Sequence, residues 1–103
     1  MRLQRIFIGI LLFTVIVGCQ TVPAPIEDYS LARAALDAAR SVQAARHSPG
    51  YWHQAEEAYR KGRIYFEDRD YSKAKEQFVR ARMAAEKAEN SARLIRQKTG
   101  DIL

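Results

Sequence analysis

Few side chains in this sequence carry reactive chemistry, and most of them are badly spaced for it. Cys19 is the only thiol among 103 residues. It stands directly behind Gly18, at the end of an apolar run over residues 6–17 that is relieved only by Gly9 and Thr14. Arg2 and Arg5 give the run a positive front. A membrane span needs about 20 apolar residues, so a shorter run with a basic front and a small residue behind it reads as a secretory signal. The chemistry open to Cys19 is that of a thiol presented at a processing site. A short N-terminal membrane anchor is the alternative reading. One cysteine can build neither a disulfide nor a cysteine-based zinc cluster.

The other candidates do not assemble a catalyst. His47 and His53 lie six residues apart across a helix break, whereas a helical metal pair stands at i and i+4. Glu56 and Glu57 are adjacent and point in different directions. The sequence has no Ser-His-Asp set, phosphate-cradling glycine loop or acidic metal loop. The chain is therefore expected not to be an enzyme, with no catalytic residues, no metal and no cofactor. Trp52, Tyr51, Tyr59 and Tyr65 offer an aromatic patch, although their helical spacing also suits a core. The candidate partner or ligand surface comprises Trp52, Tyr59, Phe66, Leu94 and Ile95.

Ile16-Val17-Gly18-Cys19 resembles a bacterial lipobox. That resemblance implies a diacylglyceryl group on the Cys19 thiol, cleavage between Gly18 and Cys19, and N-acylation of the new amine. At about 0.8 kcal/mol per buried methylene, two or three chains anchor stably where one would not. Gln20 stands where an Asp would resemble an inner-membrane retention signal, so the resemblance places the protein on the inner leaflet of the outer membrane, facing the periplasm. A Gram-positive source would place it on the outside of the cell membrane. Removing residues 1–18 takes Arg2 and Arg5 with it, so 17 basic residues become 15 against 12 acidic, and the net charge falls from +5 to +3. An ordinary solvated helical surface accounts for this mild bias better than anionic lipid or wall polymers do. Basic and aromatic residues do not interleave as in nucleic-acid recognition, and nucleic acid is not an expected partner.

These residues need elements to position them. Residues 19–25 read as a lipidated Cys and tether: the lipobox resemblance implies the lipid on Cys19, and Pro23 and Pro25 keep the residues behind it extended. Residues 26–103 then read as one Ala-rich helical domain. A first helix is expected over about 26–46, with Glu27 and Asp28 at its positive end. Ser48-Pro49-Gly50 breaks it, with Ser48 as the next cap and Pro49 at the first helical position. A second helix runs over about 49–68 and a third over about 71–98, capped by Asp70 and stopped by Gly100.

The third helix carries a heptad seam of Tyr71, Ala74, Phe78, Ala81, Ala85, Ala88, Ala92 and Ile95. The first offers Leu31, Ala35, Ala38, Val42 and Ala45, with Leu36 and Ala39 beside them. The second is broadly apolar through Tyr51, Trp52, Ala55, Ala58, Tyr59, Gly62, Tyr65 and Phe66, which predicts that it lies between the other two. Gly62 in mid-helix implies a close backbone crossing. Glu56/Arg60, Glu57/Lys61, Glu76/Arg80 and Glu89/Arg93 are acid-then-base pairs that mark solvated faces. At 1.5 Å per residue the third helix is about 42 Å long and the second about 30 Å. The end of the third, with Ala88, Ala92, Leu94 and Ile95, must be covered by the first helix or by another chain.

Gly62, Tyr65, Ala74, Phe78 and Ala81, with Asp70-Tyr71 in the turn, resemble a tetratricopeptide repeat. Lys61 stands where a leucine is usual and Glu86 where the closing proline is expected, and one copy is too few for a solenoid. The likeness is that of a shared helical hairpin. A longer stretch, from Ala32 through Tyr51-x3-Ala55-x2-Ala58 and Asp70-Tyr71-x2-Ala74 to Ala81, Ala84, Ala85, Ala88 and Ala92, resembles the bacterial envelope family called domain of unknown function 4398. Its members are small Ala-rich helical domains, often lipoproteins or placed ahead of OmpA-like modules.

The expected protein is all-α, a small three-helix bundle with a tetratricopeptide-like hairpin behind a lipoprotein signal peptide. Its expected role is a lipid-anchored periplasmic adaptor or scaffold for an envelope protein, OmpA-like or associated with the cell wall. The alternative is a self-associating structural lipoprotein, a homo-oligomer spacing the outer membrane from the wall.

Overall fold

Pro23 and Pro25 hold the chain out of helix until Ile26, and three further breaks divide the helical region beyond it. In the computed structural model, which describes residues 2–16 and 22–100, five helices result: α1 (Arg2–Ile16), α2 (Ile26–Ser41), α3 (Ala44–His47), α4 (Pro49–Glu67) and α5 (Tyr71–Thr99). All regular structure among the described residues is helical. α1 has 15 residues, about 22 Å at 1.5 Å per residue, against about 30 Å of bilayer hydrocarbon. No described helix is long and apolar enough to cross a membrane.

The helix ends reflect backbone chemistry. The Asp70 carboxylate accepts a hydrogen bond from the Lys73 backbone N–H at 3.4 Å, capping α5. Gly100, at φ 72°, adopts the left-handed conformation that closes α5. Pro49 occupies the start of α4. Ser48 precedes it, but its side chain makes no capping bond. Its buried backbone carbonyl accepts from Trp52 N–H at 3.0 Å instead. The first helix also differs from the sequence expectation, because it ends at Ser41 and does not run on to residue 46. Gln43, at φ 59°, turns the chain through the left-handed region. The turn lets both Val42, just before it, and Ala44, the first residue of α3, enter the core, which one straight helix could not do.

α5 is the spine of the molecule. Its expected seam is buried at Ala74, Phe78, Ala81, Ala85, Ala88 and Ala92. α2 packs on one side of this seam and α4 on the other, while α2 and α4 meet over a smaller area. The central helix is therefore α5, where the sequence pointed to the second long helix. Alanine explains the difference: five alanines in one stripe, interrupted only by Phe78, let two helix axes approach closely, and that outweighs the bulkier and wider apolar face of α4. The register of α2 also shifts by one position. Ala32, Leu36 and Ala39 are buried, while Leu31 is 45% exposed and Ala45 lies outside the core.

The core divides into two clusters. Phe78 fills one with Ala32, Ala74 and Ala81, against Tyr29, Tyr59, Tyr65 and Phe66. Trp52 anchors the other with Leu36, Ala39, Val42, Ala44, Ala55, Ala85, Ala88 and Ala92. The second cluster shows what covers the far half of α5: α2 and α3 of the same chain.

Candidate functional site

Three places could carry function. The first, Gly18-Cys19, lies outside the described residues, as do Asp101, Ile102 and Leu103.

The second is the aromatic face of α4. At about 100° per residue, Trp52, Tyr59 and Phe66 stack along one flank of the Ala55–Gly62 line. α2 occupies that flank. Tyr29 packs against Phe78 at a centroid distance of 4.6 Å, Phe66 at 5.5 Å and Tyr59 at 5.8 Å. Further along, the Arg40 guanidinium lies 5.6 Å from the Trp52 ring centroid. Trp52 is only 8% exposed, and Tyr59 and Phe66 are half-buried against the core. The three aromatics are thus an internal joint between α2 and α4, and no open aromatic cleft remains there. Burial, a hydrogen bond to the Tyr29 side chain and the charge of Tyr29 raise the Tyr59 hydroxyl pKa above its usual 10.0, against opposing attraction from Arg63 and Arg33. Leu94 and Ile95 lie apart from these aromatics near the end of α5, Leu94 exposed and Ile95 half-buried. His47 sits half-buried in α3 and His53 is exposed on α4. Among the described residues no group of His, Cys, Asp and Glu is arranged to hold a metal ion.

The third place is the other flank of α4. An open groove of about 360 Å³ runs between Gln54, Ala58 and Lys61 of α4 and Gln77, Arg80, Ala84 and Lys87 of α5, with Met83 at its lip. No residue of α2 lines it. Its floor is the back of the core, since Ala58 and Ala84 also pack against the two buried clusters. Its rim is charged. Lys61 pairs with Glu57 at 3.4 Å and Arg80 with Glu76 at 2.9 Å. Sequence reasoning missed this groove. The signal was present in a second stripe on α5, Gln77, Arg80, Ala84, Lys87, Ser91 and Leu94, spaced three and four apart like the seam. It becomes readable only once the seam is known to face two helices, which leaves this stripe at the edge of the α4 contact.

The family model described as domain of unknown function (DUF4398) matches residues 27–100, the whole stretch from the first turn of α2 to the glycine that ends α5. No curated protein and no solved structure matches the chain.

Proposed function

The chain belongs to the family of the domain of unknown function DUF4398, and from that premise we propose that it works as a lipid-anchored helical adaptor for a protein of the bacterial envelope. In this reading Cys19 carries the acyl chains, and residues 20–25 tether a three-helix bundle of α2, α4 and α5. α4 and α5 form a hairpin like that of a tetratricopeptide repeat. The chain sits on the inner leaflet of the outer membrane and faces the periplasm. The observation that carries the adaptor role is the groove between α4 and α5, which stays open although the opposite flank of the same helix pair is filled by α2. A groove between two helices is a known seat for an amphipathic helix of a partner protein.

The test combines anchoring with contact in living cells. Cys19→Ser is expected to leave an unprocessed precursor, and photo-reactive residues placed around the helical region are expected to give a discrete adduct with an envelope protein. Normal maturation of Cys19→Ser would remove the anchor from this reading. An absence of adducts from every face would remove the adaptor. The spacer reading loses its main motive, because Ala85, Ala88 and Ala92 are covered by Leu36, Ala39, Val42 and Ala44 of the same chain.

A further inference from the structure

The charge and the small-residue floor of the α4–α5 groove point to one kind of occupant. Its floor is made of Ala58 and Ala84, and at such small residues a helix can lie close to both α4 and α5. Met83, 49% exposed at the lip, supplies an adaptable apolar contact. The lining carries three cations, Lys61, Arg80 and Lys87, against the single carboxylate of Glu57. Lys61 shares that carboxylate and Arg80 uses Glu76, while Lys87 has no ion-pair partner among the described residues. From Gln77 to Lys87 the groove runs along α5 for about 15 Å, close to three helical turns.

We propose that this groove binds an acidic amphipathic helix of a partner protein, its small or apolar stripe against Ala58, Ala84 and Met83 and its carboxylates against Lys61, Arg80 and Lys87. The inference rests on the adaptor reading and names the chemistry of the partner. A second copy of this chain fits poorly, because an isologous contact would set the same three cations against themselves.

The probes are two synthetic helical peptides with the same Ala/Leu stripe, one flanked by Glu and the other by Lys. The full chain is purified in non-ionic detergent with a photo-reactive phenylalanine analogue at position 83. The Glu peptide is expected to crosslink saturably at that position and to lose crosslinking as salt rises. Its apparent affinity is expected to fall at least tenfold, roughly, in the Lys61→Glu/Lys87→Glu double variant. Both lysines are exposed, so that variant is expected to keep its circular dichroism spectrum. Equal crosslinking by the two peptides, or a double variant that binds normally, would overturn the proposal. So would an adduct with a second copy of the chain, or retention on purified cell-wall sacculi in place of the peptide. If the peptide fails while photo-reactive residues on other faces still capture an envelope protein in cells, the adaptor stands and only the acidic helix falls. If both fail, both readings fall.

Discussion

Gly62 is where a single hydrogen atom decides the packing. A Cβ built there would lie 2.7 Å from both Cδ1 and Cε1 of Phe78. The ring cannot retreat, because Phe78 is fully buried and held by Tyr29, Tyr59 and Phe66. Gly62→Ala gains about 1 kcal/mol of helix propensity and loses about 1–3 kcal/mol to overpacking, so the variant is expected to be less stable in chemical denaturation. Phe78→Leu in the same chain should recover part of that loss, and strict additivity of the two substitutions would refute the contact. Phe78→Ala alone is expected to cost about 3–5 kcal/mol. Tyr65→Ala should cost clearly less, since Tyr65 is only half-buried with Lys73 lying over its ring. Tyr59 makes a prediction of a different kind. Its pKa is raised in the folded protein, so the native state holds this proton more tightly than the unfolded chain does. Its contribution is complete below the usual 10.0 and is lost as pH rises through the folded value. Unfolding free energies of the wild type and Tyr59→Phe, measured from pH 8 upward, are expected to diverge only on the alkaline side.

Among the elements, α2 and α3 set the most informative test, because a glutamine holds a backbone conformation that glycine adopts freely. The left-handed region costs a non-glycine residue about 1–2 kcal/mol, and glycine returns about 0.5–1 kcal/mol of that through its looser unfolded chain. Gln43→Gly is therefore expected to stabilise the protein by roughly 0.5–1 kcal/mol, read as a higher midpoint of thermal unfolding. A lower midpoint would mean that the Gln43 side chain holds the turn. The same turn marks the limit of what the sequence could tell. The seam of α5, its Asp70 cap and its Gly100 stop were legible because each rests on a local pattern of spacing or backbone preference. Gln43 has no such signature, and the break exists because burying Val42 and Ala44 together outweighs a strained dihedral angle. The central position of α5 was hidden for a related reason. Bulk on α4 drew attention, while the deciding quantity was how closely axes can approach over alanine. The groove stripe was visible only after that geometry was fixed.

For the whole molecule, the question is whether one chain satisfies its own apolar surface. α5, 29 residues and about 44 Å long at 1.5 Å per residue, is the longest line of apolar surface that the chain must cover. The seam of α5 is nonetheless closed along its length by α2, α3 and α4. Apart from α1, where Leu3, Ile6, Phe7 and Ile8 are exposed together, what stays open is the cationic groove and scattered single residues such as Leu31, Ile64 and Leu94. Isolated exposed apolar residues are ordinary on a monomer, and like charges in the groove oppose pairing through it. The chain from Gln20 onward is therefore expected to sediment as a monomer at equilibrium over a wide concentration range, at low and high salt alike. A dimer appearing only at high salt would mean that charge repulsion alone had kept two grooves apart. A stable dimer at every salt would mean that α5 pairs between chains after all, and the spacer would then displace the adaptor as the better account of what this protein does.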